Sequence, residues 1–413
     1  MKTRSSILLL LTMLVALGLA SCTTTLDAGK PSNIACFMRT YGGTFDEAAT
    51  AVSQTSDGGY VALGTTSTYG HGSQDFYLAR FDPTGLEVWE QEYGTNAIET
   101  ATALLTTHPT TTGVADGYLM YGTTTGYGYF AQGVYLVKAD LNGNQLWEKH
   151  FKSDTTANRS NQSSAMLALA NGGYLLAGWS WVKDTSYRTP CLMAIDDTGR
   201  ILWSRLYPDT TGTLDRKING IVQTPDGGFV AVGSQLVRAT GQISIYFLQV
   251  DATGKKIKDA TLPTTPGEGF GIDLDPGGYV VYGYTVSSGA STIYVSNDYK
   301  FSAAPATTAT NSGFASQFNS GCRTRDGGTI AIGTTTANGS NDIVIMKEDA
   351  SVSSVPQWVH TFGGPRIDQG ISVKQTNDGG YILLGTTQSF GPHIRTGHDL
   401  ILIKVDQDGN LCN

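Results

Sequence analysis

Apolar and polar positions along this chain fall into short runs, and one run returns at regular intervals. Its clearest copy is Tyr60-Val61-Ala62-Leu63-Gly64, introduced by Ser56-Asp57-Gly58-Gly59. β-forming residues at successive positions predict a strand buried on both faces between neighbouring sheets. Before it, Glu47 to Gln54 reads as a strand of small and apolar residues that stops at the Gly-Gly turn. After it, a Gly- and Thr-rich loop leads into a third strand, Phe76 to Phe81. Asp82-Pro83-Thr84-Gly85 then makes a tight turn, with proline preset for its second position and glycine open to positive φ. Leu86 to Tyr93 closes the unit as an outer strand carrying Trp89 and ending Tyr93-Gly94.

The Gly-Gly phrase recurs so that its second strand starts at Tyr60, Tyr118, Tyr174, Phe229, Tyr279, Thr329 and Tyr381, a period of roughly 50 to 58 residues. Asp-x-x-Gly returns at Asp140, Asp196, Asp251 and Asp406, and the outer tryptophan at Trp147, Trp203 and Trp358. Four antiparallel strands repeated seven times predict an all-β, seven-bladed β-propeller over residues 35–413. Lys258 replaces the tryptophan in the fourth copy and Asn297-Asp298-Tyr299-Lys300 is degenerate in the fifth, so those blades are expected to be the least regular. The seventh copy stops before an outer strand can form. Ala35-Cys36-Phe37-Met38-Arg39-Thr40-Tyr41-Gly42 supplies it, with Phe37 at the tryptophan position. The N-terminal strand is therefore expected to complete the last blade and close the ring, leaving no open edge. Cys36 and Cys412 then meet at the seam, and a disulfide there is expected to contribute about 4 to 5 kcal/mol.

The first residues have a different character. Lys2 and Arg4 precede an apolar run, Ile7 to Leu19, that is short for a membrane span. Leu19-Ala20-Ser21-Cys22 resembles the lipobox of bacterial lipoproteins, which implies a signal peptide over 1–21, lipidation of Cys22 and a tether over 22–34. An ordinary secretory signal is the alternative. Export to the cell envelope, on the outer membrane, follows as the expected location. Loss of Lys2 and Arg4 takes the formal charge from −8 to −10, which argues against nucleic acid or anionic lipid surfaces as partners. Cys191 and Cys322 are read as buried free thiols.

At Asp82-Pro83-Thr84-Gly85-Leu86-Glu87-Val88-Trp89 and Asp196-Asp197-Thr198-Gly199-Arg200-Ile201-Leu202-Trp203 the chain resembles the blades of quinoprotein-like propellers. The fuller unit is similar to repeats of secreted and lipid-anchored bacterial propeller proteins of unassigned function. The resemblance covers about residues 35–413 and implies a fold, not an activity. Pyrroloquinoline-quinone dehydrogenases of the wider group use an adjacent cysteine pair and normally eight blades. This chain has neither, and no cofactor is expected.

Candidate chemistry concentrates on the face where second strands pass to third strands and one blade passes to the next. Its loops carry Tyr69, His71, Tyr127, Tyr129, Trp179, Trp181, Tyr187, His393 and Arg395. Aromatic and arginine side chains on rigidly held loops offer contact area at low entropic cost, which favours recognition of an envelope protein or a glycan. The alternative is that these rings only cover the blade tops. Carboxylates recur where inner strands begin, at Asp46, Glu47, Glu99, Asp215, Glu268 and Asp368. Glu99, Glu268 and Asp368 are candidates for acid/base work in glycoside cleavage, which needs two carboxyls about 5 to 10 Å apart. The sialidase-type Asp-box and a Gly-x-Ser-x-Gly nucleophile are missing, and His393 and His398 make a poor zinc pair. Asp406, Asp408 and Asn410 read as turn caps and not as a calcium loop, so no metal is expected. The leading expectation is a monomeric, non-enzymatic binding or scaffold module, with a carbohydrate-active enzyme as the alternative.

Overall fold

Each Gly-Gly phrase turns an inner strand back into the doubly buried second strand, and repetition of that hairpin builds the molecule. A computed structural model of the chain describes residues 35–412 apart from 71, 109–113, 128–131, 152–158, 171, 183–186, 263–264, 288, 297–305, 312–315, 338, 351–354 and 392–396. Among the described residues there are seven four-stranded antiparallel sheets and no helix. Blade 1 holds Glu47–Gln54, Tyr60–Thr66, Asp75–Phe81 and Glu87–Tyr93, from inner to outer. Blade 7 runs Asp368–Gln375, Tyr381–Thr387 and Asp399–Val405, and its fourth strand is Phe37–Tyr41 from the other end of the chain. That strand pairs in register from Phe37 opposite Lys404 to Tyr41 opposite Leu400. Cys36 and Cys412 form the expected disulfide, with Cα atoms 5.2 Å apart.

The core is divided into seven apolar clusters, one between each pair of neighbouring blades. The cluster of Val52, Tyr60, Ala62 and Tyr77 with Ile382, Leu384 and Leu400 joins blade 1 to blade 7, so the ring is closed by packing as well as by pairing. Second and third strands face such a cluster on each side, which is why Tyr60–Thr66 and Asp75–Phe81 are buried at every position.

Two devices explain the recurring sequence signs. The outer tryptophan covers the Asp-x-x-Gly turn of the next blade. A Cβ on Gly143 would stand 2.9 Å from Trp89, one on Gly254 2.5 Å from Trp203, and one on Gly409 2.8 Å from Trp358. The tyrosine four residues on secures the same turn, Tyr93 donating to Gly143 O at 2.5 Å and Tyr207 to Gly254 O at 2.7 Å. Phe37 and Tyr41 do this for Gly85 of blade 1, across the seam. Blade 4, expected to be irregular, has full strands at Leu214–Gln223, Phe229–Val237, Gln242–Val250 and Lys256–Leu262. Lys258 is tolerated because the next copy lacks a turn glycine for a tryptophan to cover. The degenerate stretch of the fifth copy, 297–300, lies outside the described residues.

The second device holds the inner hairpin turn at the same end of the blade. Lys404 of blade 7, only 1% exposed, reaches Asp378 at 2.9 Å and Val405 O at 3.0 Å. Lys347 meets Asp326 in blade 6 and Arg80 grips both oxygens of Asp57 in blade 1. The cation passes directly under the second glycine of Asp-Gly-Gly: a Cβ on Gly380 would stand 2.6 Å from Lys404 Nζ. The first glycine takes φ +87° at Gly379, a conformation that favours residues without a side chain. Neither Cys191 nor Cys322 is in a disulfide, and each is only partly buried, a correction to the expectation of buried thiols. Cys322 lies near the C-terminal end of blade 6's inner strand, Ser316–Arg323, packed against the blade 6–7 core.

Candidate functional site

Antiparallel order places the blade-connecting loops and the second-to-third loops on one face, at the ends where the inner strands start. Three of the acids expected there, Glu47, Glu99 and Asp368, are buried in loop latches. Glu99 is fully buried and accepts from Thr95 N at 2.8 Å, Thr95 Oγ1 at 3.0 Å and Thr124 Oγ1 at 2.5 Å. Asp368, also fully buried, accepts from Gly364 N at 2.8 Å and from the Thr387 hydroxyl. Glu47 repeats the arrangement with Gly43 N and Thr66 Oγ1, and burial pushes its carboxyl above the ordinary value, with Asp399 adding to the rise. Each latch therefore ties the loop that enters a blade to the end of that blade's second strand.

Partner acids that the sequence reading passed over stand beside these latches. A Cβ on Gly94 would stand 2.8 Å from Glu99 Oε2 and would collide with Asp75 of blade 1. Gly42 meets Asp399 and Glu47 in the same way. The signal was present in the recurring aspartate at the start of the third strand, Asp75, Asp342 and Asp399. In blade 4 the inner-strand acid instead meets a cation: Asp215 takes a two-pronged bond from Arg188, with Nη2 to Oδ2 at 2.7 Å. Glu268 of blade 5 pairs with Lys217 and accepts from Asn219 Nδ2 at 2.7 Å. Asp46 is exposed and bonded to His398 at 2.9 Å, which lowers its carboxyl.

The described aromatic candidates divide between two settings. Tyr69 stacks over Tyr77 with centroids 6.1 Å apart. Tyr127, at φ +58°, stacks on His150 at 3.8 Å and donates to Glu148 Oε1 at 2.8 Å. Both rings cover their own blades. Trp179 and Trp181 lie side by side at 5.2 Å near the end of blade 3's second strand, Tyr174–Val182, with the Arg188 guanidinium 5.7 Å from the Trp179 ring. Tyr187 lies under Arg238 of blade 4 at 3.5 Å. These residues form one aromatic and arginine cluster across blades 3 and 4. His71, Tyr129, His393, Arg395 and Cys22 lie outside the described residues.

The channel wall adds a feature that the sequence reading missed. Every inner strand carries a β-bulge at the same level, so the pairing skips Thr50, Thr102, Ser164, Asn219, Phe270, Asn319 and Ile371 in blades 1 to 7. A bulge re-aims the side chain it carries. Several of these residues reach the next blade: Thr50 Oγ1 donates to Ala101 O, Asn219 Nδ2 to Gly269 O at 2.8 Å and Asn319 Nδ2 to Gly370 O at 2.7 Å. Beside Asn319 and Ile371, at the connecting-face end, is a cavity of about 590 Å³. Tyr284, Gln317, Thr334, Thr336, Asn341 and Gln369 complete its described lining. Spaced polar residues on the inner strands were the available signal, but only the bulge register brings them together.

No family model matches the chain, and no curated protein does. Solved structures match its fold. Sqt1 of Chaetomium thermophilum, bound to the N-terminus of ribosomal protein L10, shares 12% identity at a TM-score of 0.50, covering 89% of this chain and 98% of that one. The α-L-arabinanase of Penicillium chrysogenum complexed with arabinobiose shares 10% at 0.51, covering 91% and 99%. YCF48 from Cyanidioschyzon merolae shares 9% at 0.51, covering 89% and 98%. At such identities the similarity establishes a β-propeller and nothing finer.

Proposed function

We propose that this chain is a non-enzymatic binding module of the cell envelope, exported and lipid-anchored through Cys22, which engages its partner with the connecting face. The observation that carries the reading is the state of the carboxylates. Glu99 and Asp368 have no exposed surface, and both are occupied by the loop and hydroxyl donors of their latches. A glycosidase needs one carboxyl to protonate a leaving group and another to reach the sugar or a water, and neither acid offers a free path. Recognition chemistry is accessible on the same face, in the Trp179, Trp181, Arg188 and Tyr187 cluster. The lipid anchor and the resemblance to secreted bacterial propellers rest on Leu19-Ala20-Ser21-Cys22 and the repeat motifs.

The matched folds include one protein described with a bound ribosomal protein segment and one with arabinobiose, so both partner classes are tested. Full-length protein in detergent is used for envelope pull-down and for a glycan array, beside a Trp179→Ala/Trp181→Ala variant. Capture by the parent and loss from the folded variant is the expected result. Cleavage of a captured glycan that disappears in Glu99→Gln or Asp368→Asn, with the fold retained, would replace this reading with the hydrolase.

A further inference from the structure

We infer that the cavity between blades 5 and 7 is a binding site for a neutral glycan. The inference deepens the binding-module reading and rests on it. The cavity volume of about 590 Å³ falls in the usual range for small-ligand sites. Its described lining holds amides, hydroxyls, one aliphatic side chain and one phenol, with no charged residue. Amide side chains present a carbonyl acceptor beside paired N–H donors, which suits adjacent sugar hydroxyls that both donate and accept. A uronate or a phosphate would lose its hydration without meeting a counter-charge.

The site is held in shape by the bulge. Asn319 donates to Gly370 O at 2.7 Å and accepts from Gln317 Nε2 at 2.8 Å, leaving the Gln317 carbonyl for a ligand. Asp368 N donates to Asn341 O at 2.7 Å, tying the loop that carries Asn341 to blade 7. The side-chain amides of Asn341 and Gln369 have no bonding partner among the described residues, so their hydrogen-bonding capacity is open. Tyr284 presents a ring, with Phe270 6.2 Å behind it, and a ring can take the C–H face of a pyranose. Extended peptides are recognised by main-chain pairing plus apolar pockets for alternate side chains. Among the described lining residues only Ile371 and the Tyr284 ring offer apolar surface, against six amide and hydroxyl side chains, which favours a sugar.

The test is calorimetric titration of the detergent-purified full chain with neutral xylo-, manno-, malto- and cello-oligosaccharides and with oligogalacturonates. Binding of at least one neutral series is expected, without binding of the uronates. Gln369→Ala and Asn341→Ala should each weaken it about tenfold, the scale of one lost hydrogen bond that leaves a polar group unpaired. Both variants should retain the parental melting temperature. Equal affinity for oligogalacturonates, affinity indifferent to Gln369, or no neutral ligand at all would overturn the assignment. So would a random-peptide library whose captured members are lost on Gln369→Ala. If the assignment fails while pull-down still depends on Trp179 and Trp181, the binding-module reading stands and only the glycan site falls.

Discussion

Lys404 and Asp378 allow a measured test of how the blades are held. The ammonium is 1% exposed and the carboxylate 28%, so the two partners are buried to very different extents. Asp378→Asn keeps the acceptor that binds Thr376 Oγ1 at 2.5 Å and Gly380 N at 3.0 Å, but turns an amide N–H toward the ammonium. The buried cation then loses its counter-charge, and an uncompensated buried charge costs about 3–5 kcal/mol. Lys404→Met fills similar space and leaves a carboxylate that can draw water from the surface and keep its turn bonds. The cost is then mainly the lost hydrogen bond to Val405 O, about 1–2 kcal/mol. The double variant removes the stranded charge and should lie within about 2 kcal/mol of the parent, because an apolar pair can replace a buried ion pair with little loss. Urea denaturation of the four proteins gives the cycle, with an expected coupling of at least about 2 kcal/mol. Equal costs for the two single changes, or simple additivity in the double, would refute the argument that burial of the lysine sets the energetics.

Four further outcomes follow. Asp326 is driven down to about 2: burial would raise it, but Lys347 and Thr324 outweigh that effect. A carboxyl whose folded value lies below its unfolded value of about 3.9 contributes its full stability above pH 4 and loses it as pH falls through 2. Denaturation midpoints should therefore drop across that window, and Asp326→Asn should reduce the drop. Replacing Cys36 and Cys412 with serine opens a closure of 376 residues. The chain-entropy ceiling is about 6 kcal/mol, and the melting temperature should fall to that of the reduced parent. Gly94→Ala would drive a methyl into Asp75 and against Glu99, with an expected loss of about 1–3 kcal/mol in denaturant titration. Trp203→Ala should uncover Gly254 and the core between blades 3 and 4, and the half-buried ring makes about 2–3 kcal/mol the expected cost by the same titration.

The sequence by itself determined the number of blades, the four strands in each, the closing role of Phe37–Tyr41 and the Cys36–Cys412 bond. The strands and turns are local properties, fixed by which positions must be buried and which must turn, and repetition multiplies each sign seven times. The seam and its disulfide follow because the last copy lacks the one strand that the other end of the chain supplies. It also marked Trp89, Tyr93 and the Asp-Gly-Gly turns as recurrent, but not that the first two act on the following blade or that a cation underlies the third. The first two contacts join residues about fifty positions apart and the third joins two hairpins of one blade, as Arg80 and Asp57 do 23 positions apart, and nothing local in the chain encodes these meetings. The same holds for the face. Glu99 and Asp368 looked like open acids because strand starts border the channel, whereas the entering loop folds back to bury them. Only the ring geometry gathers Tyr284, Gln317, Asn341 and Gln369 from three blades into one cavity, since a single-residue bulge in each inner strand decides which side chains turn toward the channel.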